Sequence, residues 1–485
     1  MTQLDMLLCI VPKINPDAPT VGPAVLKSHL AAEGFSCEVM DLNILLFREF
    51  EKHGDIEYFF KNDRIFKDYF DDADDFKDKL LDKYLYVFDG WMEIFKQKNP
   101  RWVGMSLLSS YSRTVATLMC RMIREQMPDT RIVWGGAEVS NRTEHILNDG
   151  LIDYYIWGDG ERAIIDLLNE NFNAPGINGD STQLPDLSEV HIPDYDDIDW
   201  SMYHKLKFEK PVYITGSRGC VKRCTFCNVY EIWPNYTYRT GESIAQEIIT
   251  VREKYDRVTF RFTDSLINGS MKAFKTLLEG LSDYRNTHND NFKWVSQWII
   301  RSKSQFPEEW YMRMKDAGVE ELEIGMESFV EKIRYDMKKK FKDEDMWFCL
   351  EMLQKYKIPC TLMMIVGWPT ETEEDHQETL ATVRKIYDLG WATSKGDDGE
   401  VPLIWFSFAN TLMLDDTQPL WQEIKDDLDY YNDDIDWSYR GNDLATRNRR
   451  FDEVNTLIRE LTGQKKSWMF EKKEQALNAT LENRN

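Results

Sequence analysis

Two runs of alternating strand-like and helix-like patterns, parted by a Pro- and Asp-rich stretch, constrain this chain more than any other feature. In the first run an apolar strand pattern, Leu4 to Val11, is followed by a Pro/Gly-containing loop and a helix near Pro23 to Glu33. A second strand pattern, Ser36 to Asp41, follows Gly34. Next come a strand Trp102–Ser106, a helix Ser112–Gln126, a strand Arg131–Trp134 ending in Gly135-Gly136, a strand near Ile152–Trp157 and a helix from Glu161 to Asn171. Alternation of this kind predicts a doubly wound parallel sheet. Phe47 to Asn99 breaks the rhythm: it is charged, aromatic and helical in pattern, and reads as an insertion over one face of the sheet. A solvated helical lid and a substrate-recognition element are both open for it.

Asn173 to Trp200 holds Pro175, Gly176, Gly179, Pro185, Pro193 and many Asp, the composition of a linker. Beyond it the second run has strand patterns at Val212–Gly216, Arg257–Thr263, Lys293–Arg301, Glu320–Met326, Pro359–Val366 and Pro402–Phe408. Helical patterns at Glu242–Lys254, Lys272–Tyr284, Glu308–Asp316, Asp343–Tyr356 and Thr372–Leu389 separate most of them. Six such units predict a partial parallel barrel, with chemistry at the C-terminal ends of its strands. From about Leu412 the chain is acidic and aromatic, then helical and charged. Trp421, Tyr430, Tyr431, Trp437 and Tyr439 in that segment either cover a site or fill a core; such aromatics are more often core.

Composition excludes some functions. Among 485 residues, 60 Lys and Arg stand against 84 Asp and Glu, for a net charge of −24. That surface repels phosphate backbones, so a polynucleotide is a poor expectation for the substrate. No apolar run reaches the ~20 residues of a membrane helix. Met1 to Pro12 has no basic leader region, and its apolar stretch is short for a signal peptide. A cytoplasmic location is expected, with the eight Cys kept reduced.

The chemistry is carried by Gly219-Cys220-Val221-Lys222-Arg223-Cys224-Thr225-Phe226-Cys227, directly after the first strand of the second run. Three thiolates so close in sequence can wrap one 4Fe–4S cube, each binding a different iron and leaving the fourth iron open to a chelating substrate. Arg218, Lys222 and Arg223 are expected to lower the thiol pKa values and to offset the cluster's negative charge. The competing zinc reading lacks a fourth ligand and the paired CxxC elements such sites use.

CxxxCxFC at the head of a six-unit barrel resembles the radical S-adenosylmethionine (SAM) superfamily. The likeness continues through Tyr238-Arg239-Thr240-Gly241-Glu242-Ser243 and Glu247, which is similar to the family's run into the first barrel helix. The resemblance implies a cluster on Cys220, Cys224 and Cys227, with Phe226 beside the SAM site. It implies that Asp264, after Phe262-Thr263, meets the methionine amine, although the family often has two glycines and a Glu or a pair of acids there. Arg301, closing Trp298 to Arg301, would lie near the SAM carboxylate. Glu327 and Ser328 of Gly325-Met326-Glu327-Ser328 would reach the ribose and amino-acid part. Ile365, opening Ile365-Val366-Gly367-Trp368-Pro369-Thr370-Glu371-Thr372, would flank the adenine. The implied reaction is reductive cleavage of SAM to methionine and a 5′-deoxyadenosyl radical, fed by an electron donor such as flavodoxin or ferredoxin.

An α/β domain ahead of such a barrel looks like the cobalamin-binding subclass. The matching pieces are Pro23 to Leu30, Glu33-Gly34, Val39-Met40-Asp41, Gly104-Met105-Ser106, Trp134-Gly135-Gly136 and Gly158-Asp159-Gly160-Glu161. Gly-rich turns at strand ends let a macrocycle approach the backbone, and the resemblance puts Ser106, Gly135, Gly136 and Glu161 against cobalamin. The DxHxxG motif that supplies a lower axial histidine elsewhere is absent. The implied organisation is a cobalamin-binding-like Rossmann domain at 1–172 with the insertion at about 47–99, a linker at 173–205, a radical SAM barrel at 206–411 and a C-terminal region at 412–485.

The implied function is cobalamin-dependent methyl transfer to a small molecule or peptide. Some members of the subclass perform ring contractions or cyclisations instead. A cobalamin-free radical SAM enzyme, a methylthiotransferase and a non-catalytic iron–sulfur scaffold remain as alternatives. Methylthiotransferases carry three N-terminal Cys for a second cluster, and Cys9, Cys37 and Cys120 are three in number; all three sit in apolar patterns and read as core, as do Cys349 and Cys360.

Overall fold

The computed structural model describes residues 3–55, 82–141, 150–204, 210–394 and 402–462. The chain divides between Tyr213 and Ile214 into two compact units. Among the described residues no helix is long and apolar enough to cross a membrane.

The first unit is built on β1 (Leu4–Ile10), β2 (Cys37–Asp41), β3 (Pro100–Ser106), β4 (Arg131–Gly135) and β5 (Tyr154–Tyr155), in spatial order β2-β1-β3-β4-β5 with parallel neighbours. Both faces are covered, which is why β1 reads as a continuous apolar run rather than an alternating one. Leu7, Cys9, Val103, Met105, Ile132 and Trp134 point into one core layer. Met6, Leu8, Ile10, Trp102 and Val133 point into the other. The second layer is closed by α1 (Val21–Ala32) through Leu30 and by the helix Gly160–Leu168 through Ala163, Ile164 and Leu167.

The first layer is closed by α2 (Leu42–His53), α3 (Asp82–Lys98) and α4 (Ser110–Gln126). Phe47 and Phe50 of α2 and Phe88, Trp91, Met92 and Phe95 of α3 are buried there. The ends of the 47–99 stretch are therefore core and not a solvated lid; its middle, 56–81, lies outside the described residues. Short helix α5 (Ala137–Asn141) follows β4, and α6 (Gly160–Leu168) completes the unit.

The Pro- and Asp-rich segment runs back along this unit instead of standing free. Ile177 bridges to Ile156, and Gly158 to Thr182. Leu184, Leu187 and Val190 cover Val25 of α1. Lys27 of α1 pairs with Asp197 at 2.7 Å and Asp194 at 3.4 Å. A composition rich in Pro and Asp signals loop backbone, but the few aliphatic residues within it suffice to seal the outer face of α1.

Gly136, after β4, has φ +101°, and a Cβ there would stand 2.4 Å from the Leu107 carbonyl oxygen. Gly136→Ala is expected to lower the stability of this unit by about 1–3 kcal/mol, read as a lower urea midpoint.

The second unit is a six-stranded sheet in the order β13-β12-β11-β10-β9-β6. The strands are β6 (Val212–Ile214), β9 (Thr259–Phe262), β10 (Lys293–Trp298), β11 (Val319–Glu327), β12 (Cys360–Val366) and β13 (Ile404–Thr411), with a two-stranded ladder of β7 (Ser217–Arg218) and β8 (Thr237–Tyr238) beside the first. The pairs from β9 to β13 are parallel. Sequential order with a helix in each crossover is the open (βα)6 barrel expected. Its helices are α7 (Val229–Ile232), α8 (Gly241–Tyr255), α9 (Met271–His288), α10 (Glu308–Asp316), α11 (Glu331–Asp336), α12 (Asp343–Lys355) and α13 (Glu373–Asp388). Thr240, Ser270 and Thr372 cap α8, α9 and α13, the last in a reciprocal box with Asp375.

The C-terminal region adds α14 (Pro419–Ile424), a hairpin of β14 (Tyr430–Tyr431) and β15 (Trp437–Ser438), and α15 (Leu444–Thr462). Leu412, Leu414, Leu420, Trp437 and Tyr439 build one core with Val330, Ile333, Met337 and Trp368. Trp437 and Tyr439 are thus core, Trp421 packs on their edge, and Tyr430 and Tyr431 stay exposed.

Candidate active site

The cysteine loop leaves the sheet after β6 and β7. Cys224 is buried; Cys220 and Cys227 are half-buried. The Cys227 N–H donates to the Cys224 carbonyl at 3.2 Å, which curls the loop into a turn. Between them Thr225 fastens the loop twice: its N–H donates to the Met337 carbonyl at 3.2 Å and its carbonyl accepts from Leu420 N–H at 2.7 Å. The Lys222 N–H points at the Cys220 sulfur at 3.4 Å.

Lys222 does pull the Cys220 thiol down as expected, but burial outweighs it. Burial pushes the Cys220 thiol up, and pushes Cys224 to about 11, despite the opposing pull of lysines. The Arg223 guanidinium turns to the Pro234 carbonyl at 2.6 Å and over the Tyr230 ring. The cation that acts most strongly on Cys224 is Lys339, which sequence reasoning missed. Its signal is faint: Lys338, Lys339 and Lys340 are identical in sequence, and only the fold buries the middle one.

Lys339 Nζ donates to Glu327 Oε1 at 2.8 Å, both side chains being largely buried. Glu327 closes β11 with φ +63°, at a register shift against β12 between Gly325 and Glu327. A bulge of this kind re-aims a side chain at the end of a strand. A Cβ on Gly325 would lie 2.5 Å from Lys339 Nζ and 2.7 Å from Glu327 Oε1, so the glycine of the GMES segment makes room for the pair. Ser328 serves the turn that follows: its Oγ accepts Val330 N–H at 3.1 Å and its carbonyl accepts from the buried Arg334 at 3.0 Å.

Arg301 lies three residues past β10, and its guanidinium donates to the carbonyls of Asn268 and Gly269. Asn268 in turn binds the Ile299 backbone at 2.8 and 3.2 Å, locking the loop after β9 to the loop after β10. Burial lowers the Arg301 pKa, and Lys222 is lowered by burial with Arg301 nearby. Phe226 and Ile365 meet on one apolar patch, with Phe226 edge-on to Trp368 at 6.3 Å between ring centres.

Asp264 is engaged elsewhere. Its carboxylate accepts Gly216 N–H at 2.8 Å and the Ser217 hydroxyl, tying β9 to the chain just before the cysteines. Burial raises its pKa to about 7, against opposing hydrogen bonds. The unfolded value is about 3.9, so its stabilising contribution is complete below that and is lost as pH rises through about 7. Asp264→Asn is therefore expected to gain on the wild type by about 2–4 kcal/mol between pH 4 and pH 8. Urea midpoints across that range check it; a constant difference between the two proteins would contradict a buried, proton-holding Asp264.

Three cysteines, Lys222, Arg301, Lys339 and Glu327 thus interact electrostatically at the strand ends, with Phe226 and Ile365 as an apolar floor. Among the described residues no three His, Cys, Asp or Glu side chains close around a single ion. Thiols that each take a different iron of a larger cube have no need to, so the donor set fits a 4Fe–4S cluster better than zinc.

In the first unit Ser106 and Gly135 are register partners at the ends of β3 and β4, and Gly136 follows. Glu161 is buried in the first turn of α6. Small side chains and bare backbone at these strand ends suit a flat macrocycle's tail. Cys9 and Cys120 lie in one core layer and Cys37 faces the other, so the sheet separates them. Burial holds the Cys37 and Cys120 thiols near 12.

Residues 214–383 match the family model of the radical SAM superfamily, and residues 65–168 match that of the B12 binding domain. The chain carries a radical SAM domain and a B12-binding domain. The cofactors that belong to these domains are a 4Fe–4S cluster, SAM and cobalamin. An uncharacterised methyltransferase of Pyrococcus horikoshii is 22% identical over 331 residues, 63% of this chain and 68% of the relative. The anaerobic magnesium-protoporphyrin IX monomethyl ester cyclase of Synechocystis is 24% identical over 55% of each chain. The structure of the radical SAM methyltransferase TsrM from Kitasatospora setae, with cobalamin and a 4Fe–4S cluster bound, superposes with a TM-score of 0.62 at 16% identity. That match covers 99% of this chain and 100% of the other.

Proposed function

We propose that this radical SAM enzyme transfers a methyl group, with cobalamin as carrier, to an unactivated carbon or phosphorus centre of a small molecule or peptide. The observation that carries the reading is the set of three thiols at the mouth of the first barrel strand, in a chain that also holds a B12-binding domain. The methyltransferase relatives support the reaction class. The formal charge of −24 supports a substrate other than nucleic acid. Eight free thiols accord with a reducing, cytoplasmic setting, where flavodoxin or ferredoxin would serve as electron donor.

When bound and reduced, the cluster supplies the electron that cleaves SAM into methionine and a 5′-deoxyadenosyl radical, while cobalamin supplies the methyl carrier. The chain's own residues bind and orient. Cys220, Cys224 and Cys227 would hold the cluster. Glu327 and Arg301 present opposite charges to the ammonium and carboxylate of SAM, and Ser328 follows Glu327 at the ribose side. Phe226 and Ile365 exclude water from the adenine face. Asp264 acts one layer down, fixing Gly216 and Ser217 so that the cysteine loop leaves the sheet at a set angle. Ser106, Gly135, Gly136 and Glu161 are the proposed cobalamin contacts.

Anaerobic purification with cobalamin supplied, followed by iron, sulfide and cobalt analysis, tests the reading. About four iron and one cobalt per chain are expected. Four iron without cobalt would sink the cobalamin assignment; no iron after reconstitution would sink the whole.

A further inference from the structure

Burying an ammonium costs free energy unless something repays it. Of the three consecutive lysines after α11, Lys338 and Lys340 are exposed and Lys339 is 9% exposed. Lys338 and Lys340 both adopt left-handed backbone, with φ +59° and +50°, and so bracket the residue that turns inward. The Lys339 N–H is pinned to the Arg334 carbonyl at 2.9 Å, and Arg334 itself is fully buried on Ser328 and Phe341. Met337, two residues earlier, holds Thr225 between the cysteines. The backbone that carries Lys339 is thus fastened to the backbone that carries the thiols.

Burial pulls the Lys339 ammonium toward neutrality, yet Glu327 and the thiols of Cys224 and Cys220 outweigh it and raise its pKa. Glu327 neutralises part of this charge, and Cys224 and Cys220 interact electrostatically with it as well. Lys222 also lies near them, but it is half-buried and its charge is screened by water.

We infer that the Lys339 ammonium sets the reduction potential of the cluster on Cys220, Cys224 and Cys227, making one-electron reduction easier, with Glu327 trimming the effect. Reduction adds one negative charge to the cluster, and a fixed cation in a poorly hydrated site stabilises the reduced form more than the oxidised one. The inference rests on the cluster assignment proposed above. Lys339 is a positioning residue of charge: it acts on the reacting group through space and transfers nothing.

The test is anaerobic potentiometry of the reconstituted full chain without SAM. Titanium(III) citrate supplies one electron per cluster and becomes titanium(IV), and the paramagnetic signal of the reduced cluster is read against potential. Glu327→Gln leaves the cation uncompensated and is expected to raise the reduction equilibrium at least about tenfold, which is ~59 mV for a one-electron couple. The double variant Lys339→Met with Glu327→Gln is expected to fall back by a similar factor, and Lys339→Arg to stay near the wild type. Equal potentials for Glu327→Gln and the double variant would overturn the inference, as would a wild-type potential in Glu327→Gln. Iron analysis of the same samples separates the two claims. A wild type that assembles no cluster defeats the assignment, whereas full iron with coincident potentials defeats only the role of Lys339.

Discussion

Iron loading should collapse in Cys224→Ala, from about four iron per chain to below about one. Cys224 is the most buried of the three thiols, and burial alone would keep it protonated, near 11. Only a bound metal would draw off that proton, so the thiolate is bought by the cluster and not by the protein's own cations. Alanine removes the middle ligand of a loop held at Thr225 from both sides, and the loop cannot shift to bring another donor in. Cys349→Ala and Cys360→Ala serve as controls: both thiols are buried in the barrel core, and their loss should leave iron content unchanged. Cobalt content should also be unchanged in Cys224→Ala, since the proposed cobalamin contacts Ser106, Gly135 and Gly136 belong to the other unit. Wild-type iron in the Cys224 variant would contradict the cluster assignment.

Arg447→Met should cost the second unit at least about 3 kcal/mol, seen as a lower urea midpoint and faster proteolysis of the C-terminal region. Arg447 is fully buried and its guanidinium lies 3.7 Å from the centre of the Trp437 ring. It donates to the carbonyls of Trp437 at 2.9 Å, Asn442 at 2.8 Å and Ile435 at 2.7 Å. Methionine keeps much of the volume but strands three acceptors, each costing about 1–3 kcal/mol when left dry. Asn442, which carries one of those carbonyls, also donates to the Trp368 carbonyl at 2.7 Å, so the damage reaches the segment beside Ile365. Arg447→Lys should recover only part of the loss, because an ammonium cannot match the planar fork. A midpoint equal to the wild type would show that the hairpin and α15 hold without this residue.

The parts of this molecule that repeat were legible in the sequence. Strand and helix periods placed both parallel sheets, and Cys220, Cys224 and Cys227 announced their loop by spacing alone. What escaped depended on neighbours far along the chain. Lys339 is one of three identical lysines, and two left-handed residues decide which of them turns inward. Asp264 stands at a strand end, and nothing in the sequence signals that Gly216 and Ser217 donate to its carboxylate. The loop-like composition of 173–205 concealed Leu184, Leu187 and Val190, which cover Val25 of α1. Periodicity reports which side of an element is buried, and says nothing of which partner buries it.

The hydrogen bond from Leu420 to Thr225 carries a lesson about the order of manufacture. A ribosome releases the cysteine loop long before it has made Leu420, Trp437 or Arg447. The nascent loop therefore lacks its fastening at the Thr225 carbonyl until Leu420 has been made. The turn that carries Cys224 and Cys227 is thus a property of the finished second unit, and its own short stretch of chain cannot supply it.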